Sequence, residues 1–391
     1  MTGFLYESWD GALKIHYVTG SRADFGLMCK TLQHLSTLPE IHLQAVVTGQ
    51  HLLLQYGETV RDIEAAGIKI AHKIPVALGG NSGLEMGRAL AQEMLGFLDV
   101  WSKDRPDLVL VLGDRGEMLA AALAAVHLGI HLGHIHGGEL SGTLDESFRH
   151  AISKLSHFHF TSSTDASERL KRMGEDPAHI FTVGGPGLVG LADNVVKTEG
   201  WIENRFNLMP AKTCVLVVFH PVVQETDMAA EQMKTLLDML ESNSCYGLLF
   251  LPNSDAGSAE IARVIAEFQQ NSQNAGRFKI IDHLERDQYL DCLANVDMII
   301  GNSSSGIIES ASFNVPCLNI GTRQNNRLRN DNTIDCPEIS PALLGAAFKK
   351  ARQLKGPFHN AYGDGNTDQI LANILKTLSL PQSALAKCNS Y

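Results

Sequence analysis

Five apolar residues, Leu108 to Leu112, run directly into Gly113-Asp114-Arg115-Gly116-Glu117. A second apolar run, beginning at His131, ends in His134-Ile135-His136-Gly137-Gly138-Glu139, with Asp145, Glu146, Arg149 and His150 a few residues on. A charged triplet placed behind so uniform an apolar stretch is poorly explained by solubility. Carboxylates and imidazoles gathered in this way are the groups that move protons and stabilise developing positive charge. A metal site competes, since His134 and His136 share one face of a strand and Glu139 follows. Their spacing is not a recognised ligand signature, however. His134 reads as a packed or hydrogen-bonded histidine, as do His157 and His159 on the following run.

A second group of segments suits an anion. Thr19-Gly20-Ser21-Arg22-Ala23-Asp24 separates a strand-like run from a helix starting near Phe25. Small residues there let the backbone approach a ligand, and Arg22 offers a bidentate grip on phosphate; a solvated arginine beside a capping serine is the bland alternative. Phe219-His220-Pro221 closes a strand with an imidazole at its end. Gly301-Asn302-Ser303-Ser304-Ser305-Gly306 supplies hydroxyls and backbone N–H groups where a helix begins, which suits a pyrophosphate. Glu309, read as first-turn in that helix, either caps it or accepts two ribose hydroxyls. Gly321-Thr322-Arg323-Gln324-Asn325-Asn326-Arg327, and then Arg329, concentrate positive charge at one more strand end. Gly185-Pro186-Gly187-Leu188-Val189-Gly190 formally matches a dinucleotide fingerprint, but its first spacer is proline and no acidic residue closes the next clear strand, so the glycines read as an interdomain turn.

These segments need elements to hold them, and the chain provides an alternation of short apolar, β-branched runs with helix-length amphipathic stretches, the pattern of parallel sheets wrapped by helices. The first half predicts strands at Ile15–Val18, Leu43–Val47, Leu108–Leu112, His131–Ile135, Phe158–Thr161 and Ile180–Val183. The second predicts Val215–Phe219, Leu248–Leu251, Lys279–Ile281, Met298–Ile300 and Pro316–Ile320, then helices at Pro341–Leu354 and Thr367–Leu378. The break between them places a domain boundary near residue 190, giving domains of 1–190 and 191–391, the second including the C-terminal helices. Two open parallel α/β sheets of similar size are expected, with ligands at the carboxyl ends of their strands.

Composition narrows the function further. A chain of 391 residues with 44% hydrophobic content supports two cores. Its 43 acidic against 32 basic residues argue against a general nucleic-acid or membrane-surface binder, so any bound anion needs arginines gathered locally. Seven scattered cysteines without a C-x-x-C pair read as reduced core thiols, and no stretch reads as a signal peptide or spanning helix. A cytoplasmic protein is expected.

Taken in order, T-G-S-R-A-D at 19–24, G-D-R at 113–115, G-G-E at 137–139, R-H-A-I-S-K-L at 149–155, F-H-P at 219–221, G-N-S-S at 301–304, G-T-R-Q at 321–324 and Y-G-D-G-N at 362–366 resemble the UDP-GlcNAc 2-epimerase family. The resemblance is strongest to its hydrolysing branch and spans about residues 14 to 380. It implies two Rossmann-like domains closing on a cleft, as in the GT-B glycosyltransferases, with UDP mainly on the second and the sugar facing the first. By resemblance, Arg22, Arg115, His220, Asn253, Asp255, His283, Ser303, Ser304, Glu309 and Arg323 match UDP-contacting positions. Asp114 and Asp145 match acidic positions required for catalysis, with Glu139 close by and His136 standing where many members carry Glu. Family members are commonly dimers or tetramers, which implies a homo-oligomer.

The implied reaction expels UDP from carbon 1, removes the carbon 2 proton to give a 2-acetamidoglycal, and hydrates it with a proton returning to the opposite face. Such chemistry needs two proton-transfer groups, for which Asp145 and His136 are candidates, and a carboxylate for the charge at carbon 1, either Asp114 or Glu139. Asp114 can replace either proton-transfer group. Elimination and hydration require no metal and no redox cofactor. UDP-GlcNAc, for a sialic acid-type pathway, is the first expected substrate, and UDP-2,4-diacetamido-2,4,6-trideoxyglucose, for legionaminic acid synthesis, the alternative. A glycosyltransferase using the same nucleotide site, a non-hydrolysing epimerase and a nucleotide-sugar sensor are the remaining rivals.

Overall fold

The computed structural model describes residues 11–54, 57–77, 83–140, 144–193, 195–252, 257–271, 274 and 276–390, with the backbone alone at 144, 145, 223 and 224. The chain forms two compact units, Met1–Gly190 with Tyr362–Tyr391, and Leu191–Ala361. The expectation that the C-terminal helices belong to the second unit is therefore corrected for the last of them, which completes the first.

In the first unit the elements run β1 (Leu13–Thr19), α1 (Arg22–Ser36), β2 (Ile41–Val47), α2 (Val60–Ala65), β3 (Ile70–Lys73), α3 (Gly83–Trp101), β4 (Leu108–Leu112), α4 (Gly116–His127), β5 (His131–Ile135), α5 (Leu144–Leu155), β6 (Phe158–Thr161), α6 (Thr164–Arg172) and β7 (Ile180–Thr182). The second contains α7 (Trp201–Phe206), β8 (Thr213–Val218), α8 (Ala229–Ser242), β9 (Cys245–Phe250), α9 (Ser258–Gln270), β10 (Phe278–Ile281), α10 (Arg286–Ala294), β11 (Met298–Gly301), α11 (Ser304–Ile308), β12 (Cys317–Ile320), β13 (Thr333–Cys336) and α12 (Pro341–Ala351). Then α13 (Thr367–Thr377) returns to the first.

The first sheet has seven strands in the order β3-β2-β1-β4-β5-β6-β7, and the second six in the order β10-β9-β8-β11-β12-β13; every pairing is parallel. Parallel central strands are covered on both faces, which is why β4 and β5 are buried at all five positions; β4 reads as an uninterrupted apolar run, while β5 also buries His131 and His134. Each sheet reverses its strand order once, between β1 and β4 in the first unit and between β8 and β11 in the second. Loops diverge at such a reversal and leave room for a ligand beyond the strand ends.

Two apolar layers cover the first sheet. One joins Ile15, Met28, Leu32, Leu35 and Val183 to Leu371, Ala372 and Leu375 of α13; the other packs Phe97 and Trp101 of α3 and the alanine-rich α4 against Val109 and Val111. The small side chains of α4 let it pack closely against both the sheet and the neighbouring α3, whose Trp101 Nε1 reaches His16 of β1 at 3.1 Å. The glycine-rich turn at 184–190 has a packing role: Gly185 N–H donates to Tyr362 O at 2.7 Å, and a Cβ on Gly187 would stand 2.7 Å from Leu27. The glycines of Tyr362–Asn366 serve the same crossing, because Gly365 holds φ +80° with Leu188 O only 2.8 Å from where a Cβ would be.

Candidate active site

Four elements of the first unit bring the ionisable residues together. β4 ends at Leu112, Gly113 turns the chain with φ +79°, and Asp114 follows before Arg115 caps α4. β5, paired with β4 through Leu112↔Ile135, delivers His136 to the same edge. His136 adopts φ +63°, a left-handed conformation uncommon for a side chain with a Cβ, and its N–H bonds Phe160 O at 3.0 Å. Gly137 and Gly138 are glycines for steric reasons. A Cβ on the first would meet His134 Nδ1 at 2.8 Å, and on the second Ala166 O at 2.5 Å. They place Glu139 beside β6, where Ser162 donates to its Oε1 and His136 Nδ1 lies 3.6 Å from the same oxygen.

Arg149 of α5 closes the cluster. Its Nη2 donates to Asp114 Oδ2, and its Nη1 stands 3.6 Å from Glu139 Oε2, while the guanidinium is almost wholly buried. Asp145 lies in the first turn of the same helix. His150 Nε2 lies 3.6 Å from Glu146 Oε1 on the helix's next face.

His134 is excluded from proton transfer by its partners. Its Nε2 bonds Gly113 O at 2.7 Å and its Nδ1 bonds Ser153 Oγ at 3.0 Å, and burial pushes its pKa down to about 3, so the ring is a neutral Nε2–H tautomer that braces the Asp114 turn. His157 accepts from Leu132 N–H at 2.9 Å, and His159 bonds the buried Glu175 at 2.8 Å. All three are structural, as the sequence suggested.

The loop after β1 departs from expectation. Ser21 caps α1, but the N–H groups of Gly20 and Ser21, at 3.2 and 2.7 Å, and the hydroxyls of Thr19 and Ser21 all donate to Asp24. The helix start already holds an anion of its own, so these N–H groups do not present a cradle to phosphate. Arg22 is well exposed, 3.8 Å from Asp62. Gly20 instead makes way for Glu117, whose Oε1 accepts from Arg115 Nε at 2.7 Å.

Behind Glu117 is a group that sequence reading missed. Glu93 of α3 is buried, takes a long 3.4 Å hydrogen bond from Thr48, and has its pKa raised to about 8, first by burial and then by the charge of Glu117. An acid that holds its proton more tightly when folded makes stability fall as pH rises from its unfolded value near 4.5 through about 8. Asp24, raised to about 6 by burial, acts in the same sense at lower pH. Glu93→Gln is therefore expected to flatten the decline in melting temperature between pH 6 and 9, and a variant whose decline matches the parent's would assign that loss elsewhere.

In the second unit, β8 and β11 are adjacent, and Gly301 allows their close approach: a Cβ there would fall 2.0 Å from Val218 O. Beyond them the Asn302 side chain extends the ladder, accepting from His220 N–H at 2.8 Å and donating to His220 O at 2.7 Å. Arg323 and Gln324, following β12, both donate to Asn302 O, at 3.1 and 3.0 Å. His220, Ser303, Ser304 and Arg323 are thereby brought to one strand-end region. Ser303 caps α11, which has only five residues.

Glu309 is consequently at the end of that helix, not in its first turn. Its two oxygens take a bidentate pair of bonds from Arg286, at 2.7 and 3.1 Å. Arg329 is committed to both oxygens of Asp335 and to two loop carbonyls, so it is structural. His283 follows β10, exposed and 3.8 Å from Glu285. Asn253 and Asp255 lie outside the described residues. Arg286 and Asn302 carried no chemical signal of their own in the sequence; Ser162 did, as a hydroxyl directly beyond a strand.

Two Rossmann-like sheets in one chain, each with polar residues gathered beyond the carboxyl ends of its strands, define a GT-B-like α/β protein. Residues 33–376 match the family model described as UDP-N-acetylglucosamine 2-epimerase. The chain is 44% identical over 378 residues to the UDP-N,N'-diacetylbacillosamine 2-epimerase (hydrolyzing) of Legionella pneumophila, covering 97% of this chain and 99% of the relative. It is 34% identical over 345 residues to the GDP/UDP-N,N'-diacetylbacillosamine 2-epimerase (hydrolyzing) of Campylobacter jejuni, covering 86% and 87%. In fold it is similar to the crystal structure of UDP-GlcNAc 2-epimerase from Neisseria meningitidis bound to UDP-GlcNAc, with TM-score 0.72, 18% identity, and 93% and 99% of the chains covered. The chain belongs to the UDP-N-acetylglucosamine 2-epimerase family. No described helix is long and apolar enough to cross a membrane.

Proposed function

We propose that this enzyme converts UDP-2,4-diacetamido-2,4,6-trideoxyglucose and water into UDP and the free 2-epimeric sugar. The observation that carries the reaction is the gathering of Asp114, His136, Glu139 and Arg149 beyond adjacent strands. A transferase needs little more than a nucleotide grip and an acceptor, whereas elimination at carbon 2 needs several ionisable groups in one place. The substrate is argued from the relatives at 44% and 34% identity, both described as acting on the diacetamido sugar. They favour the second of the two sugars expected from the sequence, and UDP-GlcNAc becomes the alternative.

In this reading the C1–O bond breaks with its electron pair going to UDP, and a base takes the carbon 2 proton to leave the glycal. Water then adds its hydroxide to carbon 1 as a proton reaches carbon 2 from the other face. Asp114 and Glu139 stabilise charge at carbon 1, while Asp145 and His136 carry the protons. The residues assigned to UDP are Arg22 and Arg115 in the first unit, and His220, Asn253, Asp255, His283, Ser303, Ser304, Glu309 and Arg323 in the second. Glu309 would offer ribose a carboxylate already oriented by Arg286.

The test is incubation with each UDP-sugar in deuterated buffer containing EDTA, followed by NMR. Release of UDP with a 2-epimeric, carbon 2-deuterated sugar from the diacetamido substrate alone is expected. Turnover of UDP-GlcNAc alone would move the enzyme to the sialic acid-type reaction, and no UDP from either would overturn the epimerase reading.

A further inference from the structure

We propose that Arg149 is a positioning residue of this reaction, a single buried guanidinium that holds Asp114 and Glu139 as one anionic pair for the charge developing at carbon 1. The inference rests on the epimerase reading and adds to it a residue that had no assigned part.

The two carboxylates come from separate loops whose geometry the sheet does not set. Each loop turns through a left-handed residue, Gly113 at φ +79° and His136 at φ +63°, before its carboxylate is reached. Arg149 approaches from a third element, α5, and touches both: Nη2 bonds Asp114 Oδ2, and Nη1 lies 3.6 Å from Glu139 Oε2. The other Glu139 oxygen is held by Ser162, so one side of the pair is anchored to β6 and the guanidinium carries that registration to Asp114. Without the cation, both partly buried carboxylates would lose the one positive charge that they share.

The arrangement is not that of an arginine placed for stability. Arg329 shows the stabilising pattern in this chain, with bonds to both oxygens of Asp335 and to the carbonyls of Gln324 and Arg327. Arg149 is more deeply buried, yet its Nε and Nη1 have no hydrogen-bond partner among the described residues. Burying a guanidinium with donors unfilled costs folding free energy. A lysine would supply the charge but not a planar fork able to reach two carboxylates.

The test compares R149A and R149K with the parent, reading UDP release, KM and, by calorimetry, the affinity for UDP. R149A is expected to lose about 10²-fold or more in kcat while its UDP affinity stays within about threefold, and added guanidinium should restore several-fold activity. R149K should keep a parental KM with depressed kcat. R149A turnover within about threefold of the parent, or a loss of kcat matched by lost UDP affinity and indifferent to guanidinium, would overturn the proposal. Should R149A fail to fold, R149K decides alone, a parental kcat counting against the role. A parent that releases no UDP from either sugar nucleotide refutes the epimerase reading before any variant is made, and the positioning role falls with it.

Discussion

Asp114→Asn is expected to reduce turnover about 10³-fold while leaving UDP affinity within a few fold. The substitution keeps the shape of the side chain and an oxygen able to accept from Arg149, so the turn after β4 stays as it is. His134 still braces Gly113 from beneath. What disappears is the negative charge, and in the proposed reaction that charge is of use chiefly when the C1–O bond is breaking and the sugar turns cationic. An interaction made only in the transition state lowers kcat without raising KM. Coupled detection of UDP release gives the first quantity and calorimetry with UDP the second. Near-parental turnover would remove Asp114 from the chemistry, and a parallel loss of affinity would make it a binding residue.

The second large effect concerns stability. Leu371 is fully buried on α13, in one core with Met28, Leu32 and Leu35 of α1, although nearly the whole chain separates them in sequence. His34 and Asp368 pair across the same contact at 2.6 Å. Further along, the Lys387 ammonium donates to the carbonyls of Ser153, Lys154 and Ser156 at 2.7 to 3.0 Å and pairs with Glu175, closing the end of α5. Leu371→Ala should therefore cost about 2–5 kcal/mol, the range for emptying a leucine-sized space in a packed core. Ending the chain at Ala361 should abolish cooperative unfolding of the first unit. Urea titration reads both. A cost below about 1 kcal/mol for Leu371→Ala would mean that α13 merely lies on the surface of this unit.

Sequence reading was most informative where burial leaves no choice of residue. β4, β5 and β6 were predicted to the residue: β4 is apolar at every position, as a central parallel strand covered on both faces requires, and β5 and β6 keep enough apolar and aromatic residues around their buried histidines to stand out. β3 and β13, both at sheet edges, escaped notice: Ile-Ala-His-Lys and Thr-Ile-Asp-Cys are too short and too polar to stand out. In the site, strand-end charge marked Asp114, His136 and Glu139 correctly as neighbours, since strand adjacency follows from the order of the elements. Partners chosen by three-dimensional placement were not legible. Arg286 looks like an ordinary helix-start arginine, Glu93 like a solvated residue of an amphipathic helix, and Asp24 gave no sign that it would take the N–H groups of its own loop. Nor does the local pattern of α13 say which core it will enter, because an amphipathic helix states only that one face must be covered.

The insertion of Leu191–Ala361 between the two parts of the first unit also bears on how the protein is made. A ribosome finishes every strand of the first sheet early, yet reaches Leu371, Ala372 and Leu375 only after the whole intervening unit has been synthesised. At about 5–20 residues per second this delay lasts on the order of ten seconds or more. Throughout it, Met28, Leu32 and Leu35 lack their covering helix, so the oldest part of the nascent chain is the last to become complete.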